Sequence, residues 1–484
     1  MAEKTPINIP AFGGINKSHT RNIGQPSAGL NFWTRNGRLF TRGGTPYVVQ
    51  SGTFSGDIKS LNSAVKMDSG VDSTVLLLEE GANLWHKVGS ADWASLKSDV
   101  AGNGYSSCRW QQYIILASKG YQAGGSQMLA YDVSAGTVAD LTGDPPNMEY
   151  VINWKQRIWG WGPNYSNPQY LWFCGEESLD GTYVISKDLW PATYFKNVGE
   201  DPGHPVLACF PYGSHLLILS SNSFWRVYGD DEPNFVLSYG GSTSLINPES
   251  AALVGDYAMW VGEEDGERKV FAYSGTSPVI ISQPIEEILQ EISAATFTKA
   301  MTCGFAGQFW ILFPETDETT ALVYDTGQKE WYHHEFPFEI TCVKAMGNYL
   351  EKEYLHFGLT DGRVVKVDDS VDEDLYDTGA LTGTPITTEF TLGPINHEGR
   401  RMKAKSFYIN AEPRNDFSLE VYSTVDDKDE NGPTTMDFET SNVVTKRIKL
   451  SDAKGQNISI RVTTTDKVNE LQNATIVVVP KGLK

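Results

Sequence analysis

The sequence has no apolar run longer than a strand. Val75-Leu76-Leu77-Leu78 and Ile476 to Val479 are among the longest, far short of the roughly 20 residues that a membrane-spanning helix needs. The opening stretch, MAEKTPINIPAFGG, lacks an apolar core of signal-peptide length, so synthesis in a cytoplasm is expected. Basic residues are scarce: 39 Lys and Arg stand against 60 Asp and Glu, a net charge of -21. That balance argues against a surface that grips nucleic acid through its phosphates, though not against one that DNA slides past. Cysteine is rare too. Cys108, Cys174, Cys209, Cys303 and Cys342 are far apart, odd in number and without a CxxC pair. They read as buried free thiols of a reducing compartment. P-loop, Rossmann glycine fingerprint, HExxH and GxSxG are all missing. No catalytic, cofactor-binding or metal-binding residue is assigned, and no enzymatic activity is expected.

What is abundant points to β-structure. There are 46 Gly, and aromatics make up 12% of the chain. Aromatics favour strands and glycines favour tight turns, so the expected class is all-β. The one predicted helix starts at Pro284, where a first helical position tolerates the missing N–H. Its residues Ile285, Ile288, Leu289 and Ile292 follow at helical spacing on one face.

On both sides of this helix a loose repeat of strand, turn and strand recurs roughly every 40 to 60 residues, the spacing of propeller blades. Val75 to Leu78 leads to Leu84-Trp85, Tyr113 to Leu116 to Met128–Asp132, and Ile158 to Trp161 to Tyr170–Phe173. Leu216 to Leu219 leads to Phe224–Tyr228, and Ala258 to Val261 to Val270–Tyr273. Phe309 to Leu312 leads to Ala321–Asp325, and Tyr354 to Phe357 to Val364-Val365. A small sheet cannot bury both its faces alone, whereas stacked neighbours closed into a ring can. The expectation is a β-propeller of about six or seven blades over 31–375, with Trp225 and Trp310 in blade cores. Residues 1–30 read as an extended N-terminal arm. After the acidic stretch Asp368 to Asp377, strand-length segments over 380–484 predict a smaller C-terminal β-sandwich-like domain.

Few residues invite chemistry. His333-His334 form the one histidine pair, and on a strand they point to opposite faces, one in and one out. Asp427, Asp429 and Asn431 match the start of a calcium loop, but Phe438 stands where the closing Glu belongs. A solvated hairpin loop is the reading preferred. Glu263, Glu264 and Asp265 are loop carboxylates that could lie at a channel mouth. Arg400, Arg401, Lys403 and Lys405 form the clearest basic cluster. On a strand, 401, 403 and 405 share one face. They are the candidate assembly interface, on a domain whose open sheets offer edges that a closed propeller does not.

Several of these stretches resemble the packaged-DNA stabilisation protein, or tail hub, of short-tailed bacteriophages. They are the Phe-Trp-x-Val-Tyr-Gly strand end at 224–229, Gly240-Gly241 leading to Ser244-Leu245-Ile246-Asn247, SGTSPVIISQPIEEIL at 274–289, and Ala321–Asp325 with Trp331. The opening Arg35…Gly37…Arg42-Gly43-Gly44 and the basic segment Arg400-Arg401-Met402-Lys403 are similar in kind. The resemblance implies a propeller with a smaller β domain, assembled as a hexamer below the portal and adaptor in the virion tail. It implies contacts with other tail proteins such as a needle, tailspike or fibre. It also implies retention of packaged genome DNA and a channel for its ejection, without sequence-specific DNA binding, cofactors or enzymatic activity. A glycan-binding or glycan-cleaving propeller on a virion or cell surface is the alternative.

Overall fold

The computed structural model describes residues 4–18, 22–50, 52–68, 71–100, 102–119, 128–164, 167–179, 182–199, 203–347, 353–377, 382–396, 401–426, 430–439, 443–450, 454–468 and 470–480. Six antiparallel four-stranded sheets follow one another in sequence, at 58–97, 105–140, 150–197, 206–242, 251–280 and 301–336. These are blades 1 to 6. Blade 7 takes three strands from 340–366 and its fourth, Thr45–Val49, from the other end of the chain. Val364 pairs with Val49 and Val365 with Tyr47, so the ring is closed by hydrogen bonds between distant segments. The fold is a seven-bladed β-propeller.

Each sequence repeat proves to be the second and third strands of a blade. The second strands are buried on both faces between neighbouring blades for most of their length, so they are almost wholly apolar, while third strands such as Ser223–Tyr228 keep half-exposed positions. His215–Ser220 and most of Gln308–Glu315 are buried residue after residue. Sheets covered on both sides read as continuous apolar runs in this way. Trp310 is 1% exposed, in the core as expected. Trp225 is only half-buried, on the outer layer against Tyr239 at 5.0 Å.

The predicted helix forms as a 3-10 turn, Gln283–Ile285, running into an α-helix, Glu286–Glu291. Ile285, Ile288 and Leu289 are buried. Arg268 caps its far end, donating to the carbonyls of Leu289 at 2.8 Å and Ile292, which satisfies acceptors that a helix end leaves free. Two further short helices, Ala294–Phe297 and the 3-10 turn Glu232–Asn234, were not foreseen. Among the described residues no helix is long and apolar enough to cross a membrane.

The remaining strands make a two-sheet sandwich. One sheet is built on Met402–Ala411 and Leu471–Pro480, the other on Thr388–Asn396, Asn457–Thr464 and Phe417–Val425. Here the structure departs from the expected boundaries. Thr5–Ile9 pairs with Leu471–Pro480, and Ala28–Leu30 with Thr388–Asn396. The hairpin Phe32–Arg35 and Arg38–Thr41 joins the first sheet through Leu39 and Leu471. Its turn is Asn36-Gly37, both at positive φ, the two-residue turn that suits strand twist. Residues of the presumed arm are therefore sandwich strands, and the propeller begins near Thr45. The arm looked unstructured because its strands are short and their partners lie more than 350 residues away. The acidic boundary stretch also contains a strand, Glu373–Asp377, which runs parallel to Thr45–Val49.

One continuous apolar core links propeller and sandwich. Trp33 packs edge-on against Trp310 at 5.7 Å and Tyr332 at 4.8 Å, and Phe32 reaches Phe390 at 6.4 Å. Such aromatic pairs add about 0.5–1.5 kcal/mol each beyond their area.

Candidate functional site

The sandwich carries the predicted basic cluster. Arg400 lies outside the described residues. Arg401 is exposed, and Lys403 and Lys405 alternate with buried Met402 and Ala404, up to a register shift between Ala404 and Ser406. The period of two puts both lysines on the solvent face, as expected. Their strand is not an edge, however. Leu471–Pro480 pairs on one side, and Val444–Lys449 with Lys454–Gly455 on the other. The open edges expected of this domain therefore do not include this strand: its backbone groups are used in the sheet, so side chains alone face a partner.

The neighbouring strand extends the patch. Ser406 lies opposite Lys449 and Tyr408 opposite Arg447, and Arg447 and Lys449 are exposed. Arg447 donates from Nε and Nη2 to Ser406 Oγ at 3.1 and 3.0 Å, and its guanidinium lies 5.5 Å above the Tyr408 ring. The adjoining strands Thr5–Ile9, Met402–Ala411, Val444–Lys449 and Leu471–Pro480 contain no Asp or Glu. In a chain of net charge -21, this sheet is a cationic island. Arg447 and Lys449 were missed in the sequence because only strand pairing brings them beside Lys405.

The inner strands of the blades line the propeller's central channel, a cavity of about 890 Å³. Lys59 of blade 1, Lys119 of blade 2 and Lys344 of blade 7 line one side, while Trp161, Phe210 and Met301 line the other. Lys119 Nζ is 2.7 Å from Glu249 Oε1. The Tyr150 ring stacks on Trp161 at 5.7 Å. Behind the wall sits Glu79, 1% exposed, accepting from the Gly104 N–H at 3.3 Å. Burial raises its carboxyl to about 7, and Lys119 and Lys59 only partly oppose the shift.

The weaker candidates separate. Glu263, Glu264 and Asp265 sit on an exposed hairpin between the second and third strands of blade 5 and do not line the channel. Its carboxylate is Glu249 instead. Asp427 and Asp429 lie outside the described residues. Asn431 opens strand Asn431–Phe438, and Glu430 beside it is held by Arg461 at 2.5 and 2.8 Å. His334 is buried against Trp33 at 4.4 Å. His333, on the opposite face, is half-buried, and its carbonyl accepts from the Asn31 N–H at 2.8 Å. All five thiols are free, and burial pushes Cys342 up to about 12 and Cys174 to about 11. Among the described residues no group of three His, Cys, Asp or Glu side chains is arranged to hold a metal.

No family model and no curated protein matches this chain. Among solved structures, it is similar to BBS1N from a complex with ARL6DN, at 12% identity and a TM-score of 0.40, over 66% of this chain and 97% of that one. It is similar to the N-terminal domain of Nup159 at 10% identity and a TM-score of 0.39, over 68% and 94%. An exo-beta-1,3-galactanase from Phanerochaete chrysosporium aligns at 8% identity and a TM-score of 0.27, over 98% and 100%. Likeness this distant adds nothing to what the order of the sheets already establishes.

Proposed function

We propose that this chain is a structural tail component of a short-tailed bacteriophage. In this reading it is a hub or nozzle subunit that forms a six-membered ring below the portal and adaptor. The ring retains packaged DNA and becomes the channel for its ejection. The observation that carries this reading is that several resemblance-bearing segments make close contacts, within blade 4 and at the joint of blades 5 and 6. The Phe224 ring packs so closely on Gly240 that a Cβ there would lie 2.2 Å from it. Asn247 donates to the carbonyls of Thr298 and Ala300, both at 3.0 Å, tying the link between blades 4 and 5 to the entry of blade 6. Trp331 Nε1 donates to the Ile281 carbonyl at 2.9 Å, Lys17 N donates to that of Pro284 at 2.9 Å, and Ile15 bridges to Trp331.

These contacts lock blade 5, blade 6, the helix and the N-terminal segment together, and that segment continues into the sandwich. A subunit interlocked in this way carries load as one body, which a ring holding pressurised DNA requires. The cationic sheet supplies a docking face for an acidic neighbour, either the next subunit or the adaptor. Acidic surface elsewhere lets DNA pass without sticking. The test is a pull-down with a portal–adaptor complex at low and high salt, alongside a glycan array and a hydrolase assay. Retention that weakens with salt is expected. Glycan binding or hydrolysis by a chain that never engages the connector would move it to the alternative class.

A further inference from the structure

We propose that the central channel of the propeller is a binding site for a small phosphate-bearing polyanion. The inference is independent of the tail reading and rests on the cavity alone. Lys59, Lys119 and Lys344 come from three consecutive blades, 1, 2 and 7, so ring closure gathers them on one wall. Among the described residues that line this cavity Glu249 is the one carboxylate, and it is already paired with Lys119. Lys59 is paired outside the cavity lining with Asp57 at 2.6 Å, and both are partly exposed. Pairs of that kind are weak and easily exchanged for a stronger anion. Among the described residues no carboxylate lies within 4.0 Å of Lys344.

Two of the three lysines have a carboxylate partner and Lys344 has none among the described residues, so this wall keeps an excess of positive charge in a chain whose net charge is -21. Ammonium groups on flexible stems suit phosphate as point charges. A volume of about 890 Å³ is that of a small-molecule site and does not admit a DNA duplex. Elsewhere on the lining, the half-buried Phe210 and Met301 leave an apolar surface for an uncharged part of the ligand.

The probe is inorganic tripolyphosphate, titrated calorimetrically into the full chain at low salt. Saturable binding at one site per chain is expected. Lys344→Gln, which breaks no ion pair, should weaken it about tenfold and leave the melting temperature of the unliganded chain unchanged. Lys59→Gln with Lys119→Gln should abolish binding. Lys403→Gln with Lys405→Gln, on the sandwich, should not change it, and duplex DNA should not compete. Absence of saturable binding would overturn the proposal. So would affinity insensitive to Lys344→Gln, loss of binding in the sandwich variant, or competition by duplex DNA.

Discussion

Arg42 and Asp374 stand 332 residues apart in sequence and form a buried, two-pronged ion pair. Nη1 lies 2.9 Å from Oδ1 and Nη2 2.5 Å from Oδ2, with the side chains 2% and 3% exposed. Arg42 also donates to Asn31 Oδ1 at 2.8 Å and to the Glu335 carbonyl at 2.8 Å, and Thr45 Oγ1 donates to Asp374. The pair sits where the sandwich hairpin becomes the closing strand of blade 7, so it fixes ring closure and domain junction together. Removing one partner leaves a buried, uncompensated charge, which costs about 3–5 kcal/mol. Asp374→Ala should show that loss in urea melts, and Arg42→Met with Asp374→Leu should recover part of it. Stability unchanged by Asp374→Ala would mean that the junction is held elsewhere.

The two tryptophans expected in blade cores should now behave differently. Trp310 is enclosed by Trp33, His334 and Phe357, and Trp310→Ala should cost about 3–5 kcal/mol. Trp225, half-exposed with its Nε1–H on Ser223, should cost clearly less. Equal losses in thermal melts would contradict this layering.

Burial holds three histidines neutral. His333 and His356 are lowered to about 4, and His334 lies well below the ordinary value, with Arg42 and His333 adding to the effect. The unfolded chain takes up protons near 6.5, so stability is complete above that pH and falls as the pH drops from 6.5 toward 4. Each group contributes a slope of about 1.4 kcal/mol per pH unit. His334→Leu should remove about one proton from the uptake measured on acid unfolding. A pH profile identical to that of the wild type would place His334 in contact with solvent.

The sheet face of the sandwich gives a separable test. Arg401→Glu, Lys403→Glu and Lys405→Glu together reverse charges whose side chains point outward, so circular dichroism should be unchanged. Attachment to the connector should be lost, and attachment of the wild type should weaken as salt shortens the screening length to about 10 Å at 0.1 M. Undiminished attachment of the folded triple variant would return these residues to a plain solvated face.

How much of this was legible follows from which strands carry a strong pattern. The second strand of each blade is mostly apolar because neighbours cover both faces, and with the apolar part of the third strand it made all seven repeats visible, from Val75–Leu78 to Val364-Val365. Inner strands such as Ile58–Asp68 and Tyr105–Trp110 face a polar channel and mix residue types, so neither they nor the lysines between them stood out. Nothing local marks Thr45–Val49 as the closing strand, because its partners are at the far end of the propeller. On Met402–Ala411 the alternation was legible from residue order alone, but the flanking strands that make it an interior strand were not.

The most direct test of the tail reading is electron microscopy of the purified protein at high concentration, with the triple charge-reversal variant alongside. The reading predicts six-fold rings from the wild type and dispersed, folded monomers from the variant. A wild type that stays monomeric at every concentration, and with a connector present, would contradict it.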